Sequence, residues 1–261
     1  MVGNIKHIIL IDSIDESENV NFNAESFYRD KIRYPAIAKE STITHEYKKA
    51  PNSAIFFEIL KKLTENYRDF DDGLLIHFDI HGDKNKKGLI LESNELIPWV
   101  DLINLLRDLN VLLKNKLYLT MTTCFGRYLY LGVDFKLKSP YSCYISSSLS
   151  VGEIDAYENY GILFNKLFDT GNLIDAYNEM DDTDNKIFYY KDSETTFENA
   201  FNSLYKKLTN DDSPLKKEAL DNTIKYTFEK TGNRLSYEEA KAIQIKSLTD
   251  LQRIVKENYK F

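Results

Sequence analysis

Unbroken apolar runs recur along this chain, and each ends abruptly in polar residues or glycine. His7 to Ile11 reads His-Ile-Ile-Leu-Ile, Leu74 to Ile80 runs into His81-Gly82, and Leu117 to Thr123 runs into Cys124. Continuous apolarity without alternation fits strands covered on both faces, as in a parallel sheet. Ser41 to Tyr47, with β-branched Thr42, Ile43 and Thr44, predicts a further strand, and Tyr141 to Ser147 another. Gly88 to Leu91 predicts a short return strand after a hairpin around Asn85 to Lys87, and Lys186 to Tyr190 a last one. Between them the apolar period changes to that of helices. Ile55, Phe56, Ile59, Leu60 and Leu63 share one face of a helix running to about Tyr67, capped by Asn52 or Ser53. Pro98 suits the first turn of a second, heavily apolar helix through Leu109. Ala156 to Phe168 predicts a third, stopped at Gly171, and Leu173 to Met180 a fourth. Asp12 to Asn23 reads as polar loop, while Glu25 to Lys39 and Arg127 to Pro140 show no single period.

After about Lys191 no strand-like run remains. Three charged amphipathic helices are predicted instead, near Thr196 to Leu208, Pro214 to Lys230 and Tyr237 to Lys256. Pro214 follows Ser213 at a helix start, Gly232 stops the second helix, and Ser236 with Glu239 forms a capping box for the third. The expected organisation is α/β: residues 1–190 as a mostly parallel sheet flanked by helices, and residues 191–261 as a helical extension. By default those helices are a solvated coat; the livelier reading is a surface for an activating or regulatory protein.

With 261 residues, 43% of them hydrophobic, the chain can bury one sizeable core. A net charge of −7, with Lys and Arg dispersed among Asp and Glu, argues against a nucleic-acid surface. Only Cys124 and Cys143 are present. They could pair, but one bridge in a chain this long does not make a disulfide scaffold, so a reducing compartment is expected. No signal-peptide pattern opens the chain, and no stretch approaches the roughly 20 apolar residues of a membrane span. A cytoplasmic protein without a membrane partner is expected.

Two parallel strands joined by a crossover helix end on one sheet edge, where open α/β sheets carry their sites. His81 and Cys124 therefore arrive at one rim. A free thiol, with a pKa near 8.5, is mostly protonated at neutral pH. A neighbouring imidazole activates it and then protonates the leaving amine. The oxyanion needs rigid N–H donors. Gly82, which permits close approach, and Cys124 are the candidates for those. Asp79 and His77 share His81's strand parity. Asp79 could orient His81, shape a pocket, or be a solvated strand-end acid; His77 suits packing. Cys143, inside a strand, and His7 are expected in the core, and His45 at the surface.

An apolar strand, His-Gly, about forty residues, an apolar strand and then Cys resembles the clan CD cysteine peptidases. These include caspases, metacaspases, separase and bacterial CHAT-domain proteases. The resemblance spans roughly residues 5 to 190. Tyr144 to Ser146, the stretch Gly152-Glu153-Ile154-Asp155, and Leu173 to Ala176 resemble the parts that follow the catalytic strands in CHAT and separase domains. It implies a caspase-like sandwich and a thiol protease acting on protein or peptide. His81 would be the general acid/base, Cys124 the nucleophile, and Gly82 and Cys124 the oxyanion donors, with no cofactor or metal. Relatives in prokaryotes often serve in antiviral defence or regulated self-killing. This chain departs from the pattern in having Asp79-Ile80 before the histidine and Thr123 before the cysteine. It also has Ser146 to Ser148 where separase-like members place an acid that selects a basic P1 residue. Ser147, Ser148, Glu153 and Asp155, with Asp79, are the substrate-pocket candidates. Arg127, Lys136 and Lys138 are either self-cleavage points or ordinary surface charge.

Two other classes compete. A caspase-like fold can serve as a non-catalytic scaffold or binding module. Phe78 to Asp83 also looks like the Asp-x-His start of a metallophosphoesterase, but that site needs several more histidines and none follows His81 among the four in the chain. Neither a P-loop nor a dinucleotide fingerprint is present.

Overall fold

The computed structural model describes residues 3–15, 23–134, 136–181, 186–209 and 214–258. Most of the expected loop after Asp12, and Ser213 before the expected Pro214 helix, lie outside them. The strands are β1 (His7–Ser13), β2 (Thr44–Lys49), β3 (Leu74–Gly82), β4 (Gly88–Ile90), β5 (Leu96–Pro98), β6 (Leu117–Met121), β7 (Cys143–Ser147) and β8 (Phe188–Asp192). The helices are α1 (Ala24–Phe27), α2 (Tyr34–Ala38), α3 (Ser53–Glu65), α4 (Trp99–Leu112), α5 (Glu153–Thr170), α6 (Leu173–Asp181), α7 (Ser193–Thr209), α8 (Pro214–Thr231) and α9 (Tyr237–Asn258).

The main sheet has the order β2-β1-β3-β6-β7-β8. All neighbours are parallel except β7 and β8. The fold is thus α/β, a mostly parallel sheet with helices on its two faces and a helical stretch at the C-terminal end. The side-chain period of two divides each strand between two cores. Ile9, Ile11, Ile76, Phe78, Leu119 and Met121 pack with Phe56 and Leu60 of α3 and Leu102, Ile103 and Leu106 of α4. Ile8, Leu10, Leu75, Tyr118 and Ile145 face Phe27 of α1, Tyr160, Leu163 and Phe164 of α5, and Ala176 of α6. Burial on both faces is why these strands read as solid apolar runs.

Several local signals act where expected. Asn52 Oδ1 accepts the Ile55 N–H at 3.1 Å and so caps α3. Gly171 ends α5 at φ 66°. The last strand sits two residues later than expected, at Phe188–Asp192, because buried Phe188 begins it. Two segments without a period turn out helical. The chain from Ala24 to Ala38 is α1, a π-helical turn over Tyr28–Arg33, and α2. A π turn inserts an extra residue, so the apolar phase slips. Gly126–Gly132 is a 3₁₀ helix, whose period of three escapes a 3.6-residue template. His7, expected in the core, is half-buried and shares a hydrogen bond with Thr44 Oγ1 at 2.6 Å. His45, expected at the surface, is also half-buried, 2.7 Å from the Tyr28 hydroxyl.

Backbone proximity divides the described chain into two units: residues 1–133 with 139–192, and residues 134–138 with 193–261. In the second, Phe197 and Phe201 of α7 pack with Leu248 of α9. Its α9 begins with a reciprocal cap: Glu239 N–H donates to Ser236 Oγ (3.3 Å) and Ser236 N–H to Glu239 Oε2 (2.8 Å). Gly232, at φ 74°, closes α8. No helix among the described residues is long and apolar enough to cross a membrane.

One buried polar side chain fixes the entry to β6. Asn110 is fully buried on α4; its Nδ2 donates to Ser139 O (2.8 Å) and Asn115 Oδ1 (3.1 Å), and its Oδ1 accepts the Leu117 N–H (3.1 Å). It joins the end of α4 to the strand that delivers Cys124. Asn110→Ala leaves these groups without partners and is expected to cost about 2–3 kcal/mol. Urea unfolding would show a lower midpoint with an unchanged slope. A loss under about 0.5 kcal/mol, the size of an ordinary surface effect, would contradict this role.

Candidate active site

The strand ends are staggered. β3 pairs with β6 as far as Phe78 and Met121, then runs on through Asp79 to Gly82. Its tip turns from the parallel sheet into a hairpin, with His81 opposite Ile90 and Gly82 opposite Leu89. The chain leaving β6 bends over this tip: Thr122 N–H donates to Phe78 O at 3.2 Å, and Gly126 N–H to Thr123 O at 3.1 Å. Cys124 lies in that turn. The next residue, Phe125, adopts the left-handed conformation (φ 59°, ψ 16°), a cost of about 1–2 kcal/mol for a residue with a side chain. Its N–H is held by Leu149 O at 3.1 Å.

The two segments touch at Gly82. A Cβ at that position would lie 1.7 Å from the Cys124 carbonyl oxygen and 3.1 Å from Thr123 Cγ2. Only a residue without a side chain lets the histidine strand and the cysteine turn come this close. His81 and Cys124 then line one cleft of about 190 Å³. Its walls are Ile14, Phe27, Ile80, Val151, Ala156 and Tyr157, and its polar lining adds Asp79, Thr122 and Glu153.

Helix α5 starts at this cleft. Val151 N–H, one residue before the Gly152 N-cap of α5, donates to Cys124 Sγ at 3.3 Å. Cys124 N–H has no acceptor among the described residues. Helix α5 is anchored by Tyr160, which is fully buried and whose hydroxyl donates to Met121 O (2.8 Å) at the end of β6.

Asp79 is the charged group deepest in the cleft, 9% exposed. Its Oδ1 accepts the Thr122 hydroxyl at 2.5 Å. Burial pushes its carboxyl up, and neighbouring Asp12 adds to that; the Thr122 bond, His81 and Lys49 pull the other way, and the balance is about 6. Asp12, paired in register with Asp79, is itself held by Tyr47 (2.7 Å), the Ile14 N–H (2.8 Å) and the Lys49 ammonium (3.0 Å). Lys49 also reaches Glu92 at 3.1 Å. Burial draws its ammonium down, but these two carboxylates outweigh it and raise it overall.

Of the residues singled out from sequence, His81, Gly82, Cys124, Asp79 and Glu153 meet here. Ser147, Ser148 and Asp155 are not in the cleft lining. Ser147 is buried, its Oγ accepting the Leu149 N–H at 3.1 Å. Ser148 is half-buried, and Asp155 lies within the first turn of α5. His77 is fully buried among Phe27, Tyr160 and Phe164, 2.8 Å from Thr120 Oγ1, and burial lowers it to about 3. Cys143 is buried and unpaired, its thiol pushed up to about 12 by desolvation. Among the described residues no group of three or more His, Cys, Asp or Glu side chains is placed to hold a metal ion. Asp12, Lys49 and Thr122 were not foreseen. Asp12 does carry the signal that marked His81, a polar residue closing an apolar run; nothing local marks Lys49. Compared with models of protein families and with curated proteins, the chain gives no match.

Two expectations follow. Gly82→Ala forces a Cβ into backbone that cannot swing aside, so it should destabilise the protein by 3 kcal/mol or more, on the order of severe overpacking. A thermal midpoint near wild type would mean the two segments part freely. Asp79 behaves in the opposite sense. Its carboxyl ionises near 3.8 when unfolded and about 6 when folded. The folding penalty is therefore absent below the lower value and complete above the higher one. Asp79→Asn, which keeps an acceptor for Thr122, should stabilise the protein at pH 8 by up to about 3 kcal/mol, with the gain shrinking towards pH 4. Equal effects at both pH values would refute the raised carboxyl.

Proposed function

We propose that this protein is a cysteine endopeptidase of the caspase-like kind, with His81 as general acid/base and Cys124 as nucleophile. The observation that carries the reading is the contact at Gly82. It brings a histidine and a cysteine from two parallel strands into one cleft, at the sheet edge where α/β folds carry their chemistry.

In the first half-reaction His81 takes the thiol proton and Cys124 Sγ attacks the peptide carbonyl carbon. The carbonyl π electrons move to oxygen, and the Cys124 N–H is available to that oxyanion. The C–N bond then breaks as His81 returns the proton to the departing amine, leaving a thioester. Water, deprotonated by His81, attacks the thioester; the C–S bond breaks and the thiol is restored with its proton. The apolar walls of the cleft suit an extended peptide with side chains on both sides. A partner acting through the C-terminal helices belongs to the same proposal, since α8 and α9 expose Tyr226, Phe228, Tyr237 and Ile243.

The test is labelling by peptide electrophiles that differ at the P1 residue. Wild type is expected to take up one equivalent, on Cys124, with a clear P1 preference, and Cys124→Ala and His81→Ala to lose it. Buried Cys143 should stay unmodified. Folded protein that ignores every electrophile, or labels equally well without His81, would overturn the peptidase reading and leave a caspase-like binding module.

A further inference from the structure

The cleft contains a carboxylate that the two-residue mechanism leaves unused. Asp79 stands two residues before His81 on the same face of β3, and both line the cleft with Cys124. The charge on His81 favours ionised Asp79. We propose, resting on the cysteine-peptidase reading, that Asp79 is a positioning residue for His81, stabilising the imidazolium formed when His81 takes the Cys124 proton.

The surroundings fit that role better than a packing one. A buried carboxyl with only structural work could remain neutral. This one interacts with Asp12 on β1, Lys49 on β2, His81 on β3 and Tyr160 on α5, accepts the Thr122 hydroxyl, and shares the cleft with Cys124 and Glu153. Thr122 donates to Oδ1 at 2.5 Å and fixes the carboxyl plane. Behind it, Asp12 and Lys49 form an ion pair across β1 and β2 whose two charges act on Asp79 in opposite directions. The carboxylate next to His81 is thus tuned by a pair that does not line the cleft.

This arrangement gives the site an acid limb of its own. As pH falls through about 6, Asp79 takes a proton and the imidazolium loses its counter-charge. The Cys124 proton then has less reason to move, and reactivity drops. Removing the Asp12 charge should let Asp79 ionise at lower pH; removing the Lys49 charge should make it ionise at higher pH.

The experiment is the rate of Cys124 alkylation by iodoacetamide between pH 5 and 9, read by mass on the intact chain, so no substrate is needed. Asp79→Asn is expected to slow alkylation at pH 6.5 by about tenfold, the effect of one unit in a coupled ionisation, and to abolish the acid limb that Asp79 sets near pH 6. Asp12→Asn should move that midpoint down and Lys49→Gln up. Opposite movements from two residues outside the cleft lining are not produced by a general loosening of the fold. An Asp79→Asn profile that overlays wild type, or Asp12→Asn and Lys49→Gln moving the same way, overturns the role of Asp79 while leaving the dyad intact. If His81→Ala also overlays wild type, the dyad itself fails, and Asp79 with it.

Discussion

The close approach of Gly82 to the Cys124 carbonyl is the constraint on which the rest of the site depends. Strand pairing alone would carry β3 and β6 out side by side and leave their last side chains apart. Here β3 overshoots by four residues and the cysteine turn folds down onto it, and the space for that is the missing Cβ of one glycine. The same contact accounts for Phe125. To bring Cys124 over the tip and still feed a 3₁₀ helix, the chain adopts a left-handed residue that is not glycine, and the Leu149 carbonyl holds it there.

Around this contact the two faces of the sheet do different work. The face covered by α3 and α4 is mostly apolar, with buried Ser13 and Ser146 as its polar exceptions at the strand ends. The face covered by α5 carries His77, Asp79 and His81 in succession along β3, from a fully enclosed aromatic cage to an open cleft. Three side chains of one parity thus meet three solvation regimes within two alternations of a strand. Burial holds His77 neutral and holds Asp79 near the point of ionisation.

Much of this is legible in the amino-acid order because parallel strands buried on both faces cannot disguise themselves. The runs ending in His81 and Cys124, the helices built on Phe56 and Tyr160, the Asn52 cap and the Ser236 capping box all follow from local pattern. What escapes is non-local or out of phase. The π turn within Ala24 to Ala38 breaks the period that would have revealed a helix. Ser147 reads as a substrate-pocket residue and is buried instead, because a backbone N–H two residues on uses its hydroxyl. Lys49 gives no sign that it reaches Asp12 from the neighbouring strand; that pairing exists only once β1 and β2 are in register.

The sheet order carries a consequence for solubility. A stack of parallel strands is slow to assemble, and its outer strands present unpaired backbone that can recruit another chain. The two outermost strands here are β2, with Glu46, Lys48 and Lys49 along its length, and β8, which closes in Lys191 and Asp192. The central strands, with their near-continuous Ile and Leu, are the aggregation hazard of this molecule, and they sit inside a fence of charge. Mixing a strand of one copy into the sheet of another would place these side chains against the incoming chain, so the pattern that ends the sheet also discourages its extension between molecules.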